Sequence, residues 1–176
     1  MVLKIDKMQP EHWADVTQIY AEGVETGHAT FQKDIPTWAD WDAAHLPYGR
    51  VIAVKTAVKT AENVENTEGV LLGWTALSAV SNRCVYGGVA ELSVYVSAAA
   101  RGQGVGKLLM EHLIQAAEIN GLWTLQAGIF PENTGSVQLH LRTGFRQIGF
   151  REKVGKMDGV WRDTLFFERR STVVGV

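Results

Sequence analysis

Residues 89–107 read VAELSVYVSAAARGQGVGK, and the fold class follows from this stretch. Its first eight residues alternate between apolar and polar side chains, which predicts a strand over 89–96 with one face in the core. The glycine-rich turn RGQGVGK (101–107) comes next, and apolar residues at helical spacing predict a helix over 104–120. This order places main-chain N–H groups at a helix N-terminus, an arrangement that favours phosphate.

Two common phosphate-binding motifs do not match this turn. The P-loop pattern G-x-x-x-x-G-K-[ST] fails at Arg101 and Leu108, and the dinucleotide pattern G-x-G-x-x-G fails at Lys107. The remaining pattern is R-x-x-G-x-G between a strand and a helix. Closely spaced glycines weaken a helix start unless they serve a purpose. We therefore predict a phosphate or pyrophosphate site here, the alternative being a turn that binds nothing.

The rest of the chain predicts a single mixed α/β domain over residues 1–176, with one sheet covered by helices on both sides. Strands are predicted at 2–6, 51–58, 69–77 and 123–129, and a final hairpin turns near Asp158-Gly159. A helix is predicted from Pro10, a second over 38–46 and a short one from Asn133 or Thr134 to Leu141. The polar stretch 59–69 is predicted to be a hairpin tip.

Composition excludes several classes of protein. Of the 176 residues 46% are hydrophobic, and 17 Lys+Arg against 19 Asp+Glu give a net charge of -2, so duplex nucleic acid is not an expected partner. No apolar run reaches the roughly 18 residues of a membrane span. The single cysteine, the scattered histidines and the absence of an apolar leader predict a cytoplasmic chain without a disulfide or a metal site.

Several segments resemble the GNAT superfamily of N-acyltransferases, in the branch of phosphinothricin and L-amino-acid N-acetyltransferases. They are VYVSAAARGQGVGKLLMEHLI (94–114), ATFQ (29–32), RCVYGGVAELSVYV (83–96), FPENTGSVQLHLRTGF (130–145) and VWRDTLFFE (160–168). The resemblance implies a mostly antiparallel central sheet, split between the parallel strands 89–96 and 123–129, with acetyl-CoA in the split. It also implies a homodimer. The C-terminal STVVGV (171–176) is apolar, and its two expected roles are packing on the partner or fraying.

The resemblance assigns residues to the cosubstrate. Pantetheine is expected along the main chain of Val94, Tyr95 and Val96. Asn133 is expected to bond the pantetheine arm with Ser136 one turn further on, although helix capping by Asn133 is an equally natural role. The pyrophosphate is expected on the glycine turn, at Gly102, Gln103, Gly104, Val105, Gly106 and Lys107.

Two residues are implied as catalytic. Glu91 is the expected base, partly buried and acting on the ammonium through one or two waters; holding the ammonium, or simply facing solvent, are the alternatives. A main-chain N–H near Val94 or Tyr95 is expected to stabilise the oxyanion. His140 stands where many relatives carry a tyrosine that protonates the leaving thiolate, and a packing role is its alternative.

The implied substrate is a small amino acid or analogue such as phosphinothricin, methionine sulfone or methionine sulfoximine. Arg83 is expected to bind its carboxylate or phosphinate. The other residues implied at the pocket are Phe31, Asn82, Tyr86, Ser93 and Glu91 itself. Residue 32 is Gln where the family commonly has Glu, which leaves the specific substrate open. Acetylation of a polyamine or a protein N-terminus, and a non-catalytic acyl-CoA-binding module, are the competing functions.

Overall fold

The structure is a computed structural model that describes residues 2–56 and 69–176. The predicted hairpin tip at 59–69 and the end of the predicted strand 51–58 lie almost entirely outside the described residues. The elements are β1 (Val2–Lys7), α1 (Trp13–Glu25), α2 (Trp38–Ala44), β2 (Val51–Thr56), β3 (Val70–Ala79), β4 (Val89–Val96), α3 (Val105–Ile119), β5 (Thr124–Ile129), α4 (Thr134–Arg142), β6 (Arg146–Met157) and β7 (Val160–Arg170). A 3-10 turn, Pro10–His12, precedes α1.

The seven strands form one mixed sheet in the order β1-β2-β3-β4-β5-β7-β6. The neighbours β4 and β5 are parallel, and the other neighbouring pairs are antiparallel. The final hairpin turns at Asp158 and Gly159, whose φ angles of 50° and 80° are those a tight two-residue hairpin turn requires. The predicted mixed sheet and the position of this turn are confirmed.

The parallel pair β4–β5 separates soon after it begins. Its register runs from Val89↔Thr124 to Glu91↔Gln126 and stops there. Beyond that point β4 stays paired with β3 as far as Val96, and β5 stays paired with β7 as far as Ile129. The predicted split in the sheet is therefore confirmed, and it opens directly after Glu91.

Helices pack on both faces of the sheet, as predicted. On one face α1 and α2 bury Val16, Ile19 and Trp41 against Ile52 and Trp74. The other face is covered by α3, whose Met110, Leu113, Ile114 and Ala117 pack on Leu92 of β4 and Leu125 of β5. Burial of apolar area at about 25 cal/mol per Å² makes these two layers the main source of stability. Within the described residues no helix has both the length and the apolar character needed to cross a bilayer.

The C-terminal tail folds back onto its own chain. Ser171 is buried. Arg170 donates from Nη1 to the carbonyl O atoms of Trp123 and Val174, both within 2.9 Å. The start of the tail is thus held against the start of β5, whereas Val173 and Val176 are exposed, and packing of the tail on a partner stays a prediction.

Candidate active site

Three glycines shape the turn before α3, for two different reasons. Gly102 and Gly104 have φ angles of +75° and +83°, in the left-handed region that side chains with a Cβ rarely adopt. Gly106 lies inside α3, and a Cβ there would come within 3.1 Å of Leu139 on α4. The first two glycines therefore turn the chain, and the third allows α3 and α4 to approach each other.

The turn presents main-chain donors at the N-terminus of α3. The N–H groups of Val105, Gly106 and Lys107 have no partner inside the helix, and no described side chain caps Gly104. The helix dipole adds positive charge, and the exposed Lys107 ammonium lies 3.6 Å from Glu111 Oε1 on the next turn. Gln103 differs from the others, because its N–H bonds to Ala100 O and its amide donates to Ala99 O. The predicted anion cradle therefore offers free donors at 105–107, whereas the N–H of Gln103 is already occupied.

Main-chain groups of β4 face the gap between the separating strands. Ser97 N donates to Leu72 O on β3, whereas Gly88 O accepts from the main chain at the start of β5. Since successive residues of a strand direct their N–H and C=O to opposite sides, the even-numbered Leu92, Val94 and Val96 face the split. The pantetheine and oxyanion positions predicted at Val94 and Val96 fit this geometry.

Tyr95 does not fit that prediction. Its main chain faces β3, opposite Trp74 in the register. Its ring stacks on Trp74 at a centroid distance of 4.6 Å and lies 5.0 Å from the ring of Tyr20. Burial raises the pKa of the Tyr95 hydroxyl. Tyr95 is therefore a core residue beneath the site, and of the two predicted oxyanion donors only Val94 faces the gap.

Gln32, the residue that departs from the family pattern, is fixed by the core. The hydroxyl of Tyr20 donates to Gln32 Oε1 at 3.0 Å. A glutamine leaves an NH₂ group where a glutamate has a second oxygen, so the pocket edge is neutral here. Helical spacing from Pro10 does not reveal this role of Tyr20, because a tyrosine that is only buried and one that also holds a neighbour have the same spacing.

Asn133 caps α4 and also contacts a distant loop. Its Oδ1 accepts from Ser136 N at 3.1 Å, which confirms the capping role. Its Nδ2 donates to His28 O at 3.2 Å. An amide nitrogen carries two hydrogens, so one donor remains available for the cosubstrate that the sequence predicts here.

Glu91 lies at the point where β4 and β5 part. Its side chain is exposed rather than partly buried, so the predicted burial is wrong: the α1–α2 layer stops short of it. Gln126 Nε2 on β5 donates to Glu91 Oε2 at 3.2 Å. The carboxylate is thereby aimed across the opening of the split and stays in contact with water. The polar position within the apolar strand WTLQAGI was the only sign of Gln126 in the sequence.

His140 is enclosed in the core. Its side chain is 2% exposed, and its ring lies 5.0 Å from that of Phe145 and 5.9 Å from that of Phe167. Nδ1 donates to Ser136 O at 2.8 Å, and the buried Nε2 has no partner in the described residues. Burial lowers the pKa of the imidazole. The ring is thus neutral and braces the first turn of α4, which argues against the predicted proton-donor role.

The burial of His140 predicts a loss of stability in acid. Because the folded pKa lies below the ordinary value of 6.5, the unfolded chain binds an extra proton as the pH falls through that value, and the free energy of unfolding decreases. Asparagine keeps an amide donor for Ser136 O and does not titrate. We expect urea unfolding between about pH 7.5 and pH 5 to show a shallower pH dependence in H140N than in the wild type.

His112 provides the matched control for this measurement, because its side chain is exposed on α3. H112N is expected to reproduce the wild-type dependence. Equal slopes in H140N and the wild type would show that folding does not change the pKa of His140.

The predicted substrate residues fall into two groups. Phe31 lies at the side of the split, its ring 4.7 Å from that of Phe130 at the end of β5. Arg83 and Tyr86 are exposed on the loop between β3 and β4, with the guanidinium 5.5 Å above the Tyr86 ring. Asn82 is exposed on the same loop. No bond within the described residues joins this loop to Glu91.

Open space lies above β5 beside Glu91. A Cβ built on Gly128 would meet no described atom within 4 Å. Gly128 shares a sheet face with Gln126, two residues earlier, and Ser93 shares the face of Glu91 on β4. These residues share the sheet face on the α1 side of the split, and Phe31 packs on the buried Phe130 at the end of β5.

Comparison with known proteins agrees with this geometry. Residues 13–145 match the acetyltransferase (GNAT) family. The chain is 35% identical over 163 residues to a phosphinothricin N-acetyltransferase of Alcaligenes faecalis, an alignment that covers 88% of this chain and 75% of that protein. It is 40% identical over 81 residues to an L-methionine sulfoximine/L-methionine sulfone acetyltransferase of Pseudomonas aeruginosa, covering 46% of this chain and 47% of that one.

The extent of these matches differs between sequence and structure. Against a phosphinothricin N-acetyltransferase of Streptomyces coelicolor the chain is 34% identical, and the alignment covers 64% of each protein. A phosphinothricin acetyltransferase of the GNAT superfamily from Sinorhizobium meliloti, solved in complex with AcCoA, superposes with a TM-score of 0.81 at 27% identity, covering 99% of this chain and 91% of that one. The likeness in fold thus spans the whole described sheet.

Proposed function

The chain belongs to the GNAT family of acetyltransferases, and we propose that it transfers the acetyl group of acetyl-CoA to the amino group of a small amino acid or analogue. The observation that carries this proposal is the split between β4 and β5. In support of the proposal, the main-chain groups of Val94 and Val96 and the N-terminus of α3 follow Glu91 along the chain, beyond the point where the two strands part. Homodimer formation and a cytoplasmic location remain predictions from the sequence.

Acetyl-CoA can contact the protein at three places along the split. Its diphosphate accepts from the donors at 105–107, with the helix dipole of α3 favouring the negative charge. The amide groups of pantetheine pair with Val94 and Val96 as an added strand does. The second Nδ2 hydrogen of Asn133 is donated to the same pantetheine arm from the opposite side of the split. The thioester then lies at the narrow end of the split, close to Glu91.

Acetyl transfer needs a neutral amine and a stabilised oxyanion. Glu91 attracts the substrate ammonium, and a bridging water passes its proton to the carboxylate. The lone pair then attacks the thioester carbonyl carbon, and the N–H of Val94 stabilises the developing oxygen charge. When the carbon–sulfur bond breaks, the attacking nitrogen releases its second proton through water to the departing sulfur, and CoA leaves as the thiol. Gln126 keeps Glu91 aimed throughout, and His140 supports α4 without exchanging a proton.

The acceptor is a small amino acid or analogue, as for the relatives named after phosphinothricin and methionine sulfoximine. The exposed guanidinium of Arg83 suits a carboxylate or phosphinate. An arginine at the rim also repels polyamines, which carry positive charge throughout. The neutral amide of Gln32 removes a carboxylate from the pocket edge and favours acceptors with an uncharged polar side chain.

The test combines binding with turnover. Calorimetry with acetyl-CoA should show one site, and thiol release should appear with phosphinothricin, methionine sulfone or methionine sulfoximine in an amine panel that includes a polyamine. Binding without thiol release for any amine would instead identify an acyl-CoA-binding module. Release only with the polyamine would contradict the assigned substrate class.

Gly128 is expected to set the size of the acceptor. Valine suits a strand, and the space above Gly128 is open, so G128V should fold normally while its side chain fills the pocket floor. We expect the KM for methionine sulfone to rise about tenfold, the usual effect of one or two misplaced methyl groups. Acetyl-CoA affinity should be unchanged by calorimetry.

G149V is the matched control, because Gly149 lies on the same row of the sheet beyond Phe166 and also has room for a side chain. It should leave the KM for methionine sulfone unchanged. An equal rise in both variants would assign the effect to the sheet rather than to the pocket.

A further inference from the structure

A largely buried arginine on β7 joins segments that are far apart in the chain. The Arg162 side chain is 16% exposed. Its Nη1 donates to Gly27 O at 3.1 Å, and its Nη2 donates to His28 Nδ1 at 3.1 Å. Nη2 also lies 3.3 Å from Glu132 Oε1, and the guanidinium carbon lies 4.5 Å from the ring centroid of Phe130. The planar donor fork of arginine suits such a junction.

The segment that Arg162 holds carries a wall of the amine pocket. Phe31 lies three residues after His28, and its ring packs edge-on against Phe130. Behind it lies Gly155, which pairs with Arg162 in the β6–β7 register, and a Cβ there would come within 2.5 Å of the Phe31 ring. Because Gly155 has no side chain, the Phe31 ring can pack directly on β6 beside Arg162.

The same segment touches the cosubstrate side of the split. Asn133, which caps α4, donates to His28 O. Asn133 also faces the pantetheine arm in the proposed complex. The loop 27–32 is therefore bonded both to Arg162 and to a residue of the cosubstrate site.

We propose that Arg162 is a positioning residue for the amine pocket. It holds the loop 27–32 against the turn 130–133, so that Phe31 keeps its place as the pocket wall. Arg162 touches neither reactant itself. The identity of the pocket rests on the proposed function, whereas the role of Arg162 in holding the loop 27–32 rests on the contacts above.

The test compares R162M and R162K with the wild type. Methionine keeps an apolar stem without the donors, and lysine keeps the charge without the fork. Loss of several charge-assisted bonds should raise the KM for the amine about tenfold in R162M, with kcat reduced much less. The KM of R162K for the amine should lie between those of the wild type and R162M. Hydrogen exchange of the 27–32 amides should be faster in R162M, and this readout needs no turnover.

R151M is the matched control, because Arg151 lies on the same hairpin with its guanidinium carbon 4.0 Å from the Phe166 ring centroid. It should change neither readout. Should R162M fail to fold, E132Q removes only the ion pair, and it should give a smaller rise in the amine KM.

An active R162M with an unchanged KM for the amine overturns the inference, whether or not hydrogen exchange becomes faster. The inference is also overturned if neither R162M nor E132Q changes the KM or the exchange rate. A wild type that shows no thiol release overturns the proposed function instead. In that case the exchange measurement still decides whether Arg162 braces the loop.

Discussion

Replacing Glu91 by glutamine is expected to lower kcat by roughly two to four orders of magnitude, the range for loss of a general base. The substitution preserves shape, and Gln126 can still donate to the new amide oxygen, so the junction of β4 and β5 stays intact. What disappears is the negative charge that attracts the ammonium and accepts its proton. Because the main-chain groups of the split are untouched, calorimetry should show acetyl-CoA binding as in the wild type.

The sheet supplies a matched control for this variant. Glu91, Gln126 and Glu168 form one row across β4, β5 and β7. Glu168 is ion-paired with Arg146 at 2.8 Å and lies on the far side of Gln126 from the split. E168Q should therefore retain turnover. If E91Q kept its activity and E168Q lost it, the proton acceptor would belong on β7.

The part of the site built from one continuous stretch could be predicted from the sequence. Residues 89–107 show strand alternation, then glycines, then helical spacing, and each of these patterns follows from local geometry. The bounds of β4 and the start of α3 agree with the prediction to within one residue. The glycines at 102 and 104 were informative because few residues adopt a positive φ.

The parts that depend on side-chain direction and on distant segments could not be predicted in this way. The exposure of Glu91 depends on how far α1 and α2 extend over the sheet. The burial of His140 depends on packing against Phe145, which directly precedes β6, and against Phe167 on β7. Arg162 looks like any polar residue of a strand until the loop 27–32 is placed against it. Spacing along the chain contains no information about such tertiary contacts.

Placing a carboxylate on the glycine turn should have the largest effect on cosubstrate binding. Aspartate tolerates the left-handed conformation of Gly104 and favours a helix N-terminus, so G104D should fold. At about 5 Å from a diphosphate its charge costs roughly 3 kcal/mol, which corresponds to an approximately hundredfold rise in the Kd for acetyl-CoA.

Two comparisons isolate this electrostatic effect from the strain of the backbone. Gly121 ends α3 with a φ of +79°, and a Cβ there would also meet no described atom within 4 Å, so G121D introduces the same side chain and conformation at the opposite end of the helix. It should bind acetyl-CoA as the wild type does. Acetyl-pantetheine lacks the diphosphate, so G104D should use it as well as the wild type. An equal loss with both thioesters would mean that the residues at 105–107 position the helix and do not bind the diphosphate.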